Sequence, residues 1–154
     1  MNAIIYTLKK SFTSLGLVIT LVFLSGTLFS QTIILEVSNL KSNKGQIIVA
    51  IFQDDQTFQD EVPKYDKRFS KETVKNGKMY IKFKLPPGVY GFTLIDDENH
   101  NGDIDYNFIG LPKEGFGFSD YYHTGMIKPH FDKFKFNLSE GEEKRVHTKI
   151  RYIY

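Results

Sequence analysis

Residues 97–105 read Asp-Glu-Asn-His-Asn-Gly-Asp-Ile-Asp, and their oxygen-bearing side chains fall at the spacing of a calcium-chelating loop. Asp97, Asn99, Asn101 and Asp105 occupy loop positions 1, 3, 5 and 9, Gly102 sits at position 6, where such loops turn sharply, and Asp103 at position 7 offers its backbone carbonyl. A hard cation takes roughly six to eight oxygens, which a chain turning its alternate residues inward can supply. Five carboxylates lie between Asp96 and Asp105, with His100 the only cation candidate among them, and a divalent ion would relieve their repulsion. Position 12 is Phe108 instead of the glutamate that closes a full loop, so the expected affinity is weak, on the order of 10⁻⁴ to 10⁻³ M. Glu114 is the nearest downstream carboxylate able to fold back and help. The competing reading is a solvated turn whose Asp and Asn side chains bond their own backbone.

A second stretch follows directly. Residues 107–128 carry Gly110, Gly115, Gly117 and Gly125 interleaved with Phe108, Phe116, Phe118, Tyr121 and Tyr122. A long connection of this composition either folds its aromatics over the end of the domain or displays them. Displayed, Phe116, Phe118, Tyr121 and Tyr122 would form a platform for a glycan or a peptide of a partner protein.

Catalysis has weaker support. Asp96 and Asp105 could do acid–base work on a sugar, and His100, His123 and His130 could bind zinc, but only residue type favours either. No short His-to-His ligand spacing, cysteine nucleophile or Gly-x-Ser-x-Gly elbow is present, so the expectation is a protein with no catalytic residues. Asp54, Asp55, Asp60 and Glu61 flank Phe58 and could approach the acidic loop. Lys64, Lys67, Arg68, Lys71 and Lys75 read as a wet strand face or an edge guard.

The elements that must position these residues are strands. Thr32–Ser38 and Gln46–Phe52 are rich in Ile and Val and are joined by a polar, glycine-ended turn, which predicts a hairpin. Met79, Ile81, Phe83 and Leu85 alternate with polar neighbours, and Asn76-Gly77 before them predicts a two-residue turn to a strand near Phe69–Val74. Pro86-Pro-Gly88 turns the chain into Val89–Ile95, which delivers the acidic loop at its end. Phe134, Phe136 and Leu138, then Val146, Thr148, Ile150 and Tyr152, predict a last pair. No window carries a capped helical period. The expected fold is all-β: a single antiparallel β-sandwich, an immunoglobulin-like or transthyretin-like Greek key of about seven strands.

Location follows from the first residues. Lys9-Lys10 followed by the apolar stretch Leu15–Phe29 reads as an export signal over residues 1–30, leaving a sandwich domain over 31–154. A retained membrane anchor is the alternative. Without residues 1–30 the chain loses two lysines and no acid, so its 20 basic residues fall to 18 against 18 acidic ones. That balance gives neither the clustered cationic face that nucleic acid requires nor a polybasic membrane patch. Zero cysteines in an exported chain leave stability to an apolar core. The expected location is secreted or periplasmic, at the cell envelope, with no stable membrane span after cleavage.

Three segments carry a family resemblance: Ser42-Asn-Lys-Gly-Gln-Ile-Ile-Val-Ala-Ile-Phe52, then Phe83-Lys-Leu-Pro-Pro-Gly-Val-Tyr90 running into Asp96–Asp105, then Phe108-Ile-Gly-Leu-Pro-Lys-Glu-Gly-Phe-Gly-Phe-Ser119. Together they are similar to a secreted bacterial family catalogued as domain of unknown function 2141. The resemblance implies export, one small β-sandwich and no established activity. Members usually show Asp-Glu-Asn-Gly-Asn-Gly at the acidic loop, where this chain has His100 in place of the first glycine.

Overall fold

The computed structural model describes residues 31–153. The expected signal peptide, residues 1–30, lies outside the described residues. The described residues form eight strands and one five-residue helix: β1 Gln31–Ser38, β2 Gln46–Phe52, α1 Asp55–Gln59, β3 Tyr65–Ser70, β4 Lys78–Leu85, β5 Gly88–Asp97, β6 Gly115–Phe118, β7 Phe136–Leu138 and β8 Glu143–Lys149. A single 3₁₀ turn at Phe131–Lys133 precedes β7. The fold is all-β, as the strand periodicity predicts.

The strands form two sheets. The smaller is ordered β4-β1-β8, and the larger is ordered β3-β2-β5-β6, with β7 pairing the first residues of β5 off this path. One apolar core holds Ile33, Leu35 and Val37 of β1 with Ile47, Val49 and Ile51 of β2 and Phe92 and Leu94 of β5. The period of two along each strand therefore aims one face of each sheet at the same interior. Every named strand pair is antiparallel except β1 with β8, which is parallel and departs from a purely antiparallel sandwich.

Three expected pairings are corrected, and the last pair is one of them: β7 pairs with β5 and β8 with β1, in different sheets. β1 and β2 do not form a hairpin: β1 pairs with β4 and β8, whereas β2 pairs with β3 and β5 in the other sheet. The connection of residues 39–45 crosses between sheets, helped by positive φ at Asn39 (65°) and Gly45 (77°). A Cβ on Gly45 would come within 2.0 Å of the Asp97 carbonyl oxygen, so only glycine fits this crossing. The Asn76-Gly77 turn does form, with positive φ at both residues and reciprocal backbone hydrogen bonds between Lys75 and Lys78. It ends there, because β3 is drawn to β2, not β4.

The larger sheet is covered on its outer face as well. Phe52, Phe58, Phe118, Phe131 and Phe134 form a second cluster over that face. The cluster lies tightly on β5 because residue 91 is glycine; a Cβ there would meet the rings of Phe131 and Phe134 at 2.6 Å. Burial on both faces explains why Gln46–Phe52 is nearly continuously apolar.

Candidate functional site

β5 carries the acidic loop out of the larger sheet. Asp96 pairs with Ile47 and Gly115, and Asp97 pairs with Gln46, so both aspartates are still strand residues with fully buried side chains. Gln46 Nε2 donates to Asp97 Oδ2 at 2.7 Å, and the Gly102 N–H donates to the same oxygen at 3.0 Å. Burial raises the Asp97 pKa, but hydrogen bonds from Gln46 and the N–H groups of Gly102, His100 and Asn101 outweigh it, holding the carboxyl below the ordinary aspartate value.

Beyond Asp97 the loop coils on itself. Asn99 Oδ1 accepts from the Asn101 N–H and Asn101 Oδ1 from the Asp103 N–H, each at 2.9 Å. Asn99 also donates its amide to Asp105 Oδ2 at 2.8 Å. Two residues in positive-φ conformation, His100 (63°) and Gly102 (87°), produce the coil. The histidine thus occupies a backbone region that favours glycine.

Glu114 closes the site from the other side. Its Oε2 accepts the Asp105 N–H at 3.2 Å, bringing a sixth carboxylate to the loop. Burial first, then the charges of Asp97, Asp105 and Asp96, raise the Glu114 pKa against the lowering effect of that N–H. The other oxygens of these two residues, Asp97 Oδ1 and Glu114 Oε1, are buried without any hydrogen-bond partner. Arg68, from β3, lays its guanidinium beside Gly102, where a Cβ would be 3.0 Å from Nη1.

Among the described residues no three His, Cys, Asp or Glu groups gather closely enough to hold an ion by themselves. Amide and backbone oxygens count equally for calcium. For zinc the histidines are dispersed: His100 is in the loop, His123 touches the Tyr121 hydroxyl and the Ile127 carbonyl, and His130 faces Asp55. The acids around Phe58 serve other ends. Asp54 caps α1 through the Thr57 N–H, Asp55 accepts from the Phe131 N–H, and Glu61 pairs with Lys128.

Lys71 is a further correction. It is fully buried, not a wet edge residue, and it contacts Asp96, itself fully buried. Glu98 lies 3.5 Å from the Lys71 ammonium, and the Tyr152 hydroxyl donates to Asp96 Oδ2. Burial, followed by the adjoining Asp96 carboxylate, pushes the Tyr152 hydroxyl pKa well up.

The four aromatics do not make a platform together. Phe118 is buried in the cluster on the outer face, Phe116 and Tyr121 are half-buried against that cluster, and only Tyr122 is well exposed. Exposed apolar surface collects elsewhere, at Phe108, Ile109, Met126 and Ile127. Part of it borders a groove of about 510 Å³ whose floor includes Ile48 and Ile95 and whose walls include Tyr106, Leu111, Met126 and Ile127.

Over residues 35–147 the sequence matches the family described as an uncharacterised protein conserved in bacteria (DUF2141). The chain belongs to this family. The matched residues span most of both sheets and the whole acidic loop, so loop and fold are parts of one family domain. No curated protein and no solved structure matches the chain. Among the described residues no helix is long and apolar enough to cross a membrane.

Proposed function

We propose that this DUF2141 protein is an exported, non-catalytic β-sandwich module of the cell envelope, stabilised by a calcium ion in its Asp/Asn loop. The observation that carries the reading is the pair of buried, unpartnered carboxylate oxygens, Asp97 Oδ1 and Glu114 Oε1, at the base of that loop. A buried charged acceptor without a partner costs about 1–3 kcal/mol or more, and a cation removes that cost for both. Asp97 and Glu114 would supply charge at the base, with Asp105, Asn99, Asn101 and the Asp103 carbonyl drawing in around the ion. The loop's own hydrogen bonds leave the second lone pairs of the Asn99 and Asn101 oxygens for this role. Export is supported by the Lys9-Lys10 and Leu15–Phe29 pattern.

The test is thermal unfolding of the purified protein in calcium and in chelator. At 10 mM calcium and a dissociation constant of about 10⁻³ M the expected gain is about 1.4 kcal/mol, a rise in Tm on the order of 5 °C. Asp105→Ala should abolish the rise. An unchanged Tm in wild type would remove the ion from the account.

The groove supports a second reading, a binding module for an extended peptide of a partner protein. Its volume suits a small ligand or a few side chains. Its lining of Ile48, Ile95, Leu111, Met126 and Ile127 favours apolar side chains over sugar hydroxyls, which require convergent polar groups. Gly102, Asp103 and Ile104 form part of the wall, so calcium would stiffen the groove. Calcium-dependent binding of apolar peptides from a random library, lost in Ile127→Asp, would support it; equal binding by that variant would count against it.

A further inference from the structure

The contact between Lys71 and Asp96 is poorly arranged for an ion pair. Both side chains are fully buried, and removing two charges from water costs several kcal/mol for each ion. That cost is recovered only when good hydrogen bonds satisfy the charges, and an ammonium has three protons to place. Yet neither Lys71 Nζ nor Asp96 Oδ1 makes a hydrogen bond, although the two are in direct contact. They meet without hydrogen-bond geometry, amine against carboxyl group.

Two neighbours complete the arrangement. The Tyr152 hydroxyl donates to the other Asp96 oxygen, Oδ2, which draws electron density from the carboxyl carbon. The Glu98 carboxylate stands 3.5 Å from Lys71 Nζ and is held there by the Ser42 hydroxyl. A nucleophile, a polarised carboxyl group and a proton carrier are therefore together, the first two fully buried and Glu98 reaching them from the surface.

We propose that Lys71 and Asp96 join through an intramolecular isopeptide bond. The pair counts as one amine and one carboxylic acid wherever their shared proton sits, and Nζ attacks Cγ of Asp96. The Nζ–Cγ bond forms, the Cγ–Oδ1 bond breaks, and Oδ2 stays as the amide oxygen under the Tyr152 hydroxyl. One proton leaves Nζ through Glu98 and passes to the departing oxygen, which leaves as water, so Glu98 ends unchanged. Nothing is oxidised or reduced, and no co-reactant is needed. Held contact of this kind substitutes for an effective concentration on the order of 10⁵–10⁸ M, and the neutral amide replaces two buried charges.

The bond would tie β3 to β5 across β2. Phe69 and Asp96 both pair with Ile47, and Lys71 follows just past the end of β3, where its side chain meets Asp96. The staple would lie directly before Asp97, fixing the root of the acidic loop whether or not an ion binds there.

Intact mass measurement of the denatured protein tests this. Wild type is expected one water lighter than its sequence, and proteolysis should yield one branched peptide joining Lys71 to Asp96. Lys71→Arg should restore the full mass. Asp96→Asn, which keeps the shape, should form the same amide by losing ammonia. Glu98→Gln should leave an unjoined fraction. Wild type at full mass overturns the proposal, as does a missing water that persists in Lys71→Arg, which would mark dehydration elsewhere.

Discussion

Glu114 accepts the backbone N–H of Asp105 at 3.2 Å, joining the start of β6 to the end of the acidic loop. In the chain without calcium this carboxylate is a burden, since burial and the charges of Asp97, Asp105 and Asp96 raise its pKa. A folded-state pKa raised in an acid makes the fold more stable as pH falls through the raised value towards the unfolded one, and leaves the full penalty at neutral pH. Glu114→Gln should therefore raise Tm in chelator at pH 7 and reduce the gain that calcium gives. Unfolding curves with and without calcium measure both effects; a variant with lower Tm in chelator and an undiminished calcium gain would contradict the assignment.

Gln46 is the strand residue that secures Asp97. Gln46→Met keeps the volume but removes the 2.7 Å hydrogen bond to a buried carboxylate, which should cost about 1–3 kcal/mol. Asp97 has a depressed folded pKa, so its contribution is present above the unfolded value of 3.8 and is lost as pH falls through the folded value. The difference between variant and wild type in urea unfolding should thus be largest at neutral pH and shrink below about pH 4. A difference independent of pH would assign the loss to packing.

His100 stands at φ 63°, where an L-residue pays about 1–2 kcal/mol. Glycine removes that strain but loses roughly 0.5–1 kcal/mol of chain entropy on folding. His100→Gly should therefore stabilise the protein by about 0.5–1 kcal/mol, seen as a higher urea midpoint with an unchanged slope. A lower midpoint would show that the imidazole makes a contact worth more than the strain.

The histidine also shows what sequence could and could not convey. Strand positions were legible because burial imposes a period of two, as in Gln31–Ser38 and Glu143–Lys149, or a continuous apolar run where both faces are covered, as in Gln46–Phe52. The loop was legible because its oxygen-bearing residues sit at fixed spacing, and Glu114 because it is the nearest carboxylate downstream. Strand partners were not legible. The turn of residues 39–45 looks like a hairpin but crosses between sheets, a choice set by which strand edges are available instead of by local propensity. Lys71 misled for a related reason: among exposed Lys64, Arg68 and Lys75 its type signals a wet face, and only its tertiary contact with Asp96 explains its burial. For Phe118 the glycine-rich segment leaves both burial and display open, and the pairing of β6 with β5 decides it by turning the ring into the outer cluster.

Arg68 completes the electrostatics of the loop. Its guanidinium lies beside Gly102, close to where a calcium ion would sit, and among the described residues it pairs with Asp66, at 3.4 Å on the exposed surface. Such an exposed pair contributes little to stability, about 0–1 kcal/mol, so Arg68→Gln should leave Tm in chelator nearly unchanged. The same substitution removes a positive charge that repels the ion across a partly screened path. Calcium affinity should rise about two- to fivefold at low salt, corresponding to roughly 0.4–1 kcal/mol, and the gain should fade as ionic strength increases. Calorimetric titration at two salt concentrations measures this; unchanged affinity at low salt would place the ion away from Gly102, towards Asp105 and Glu114.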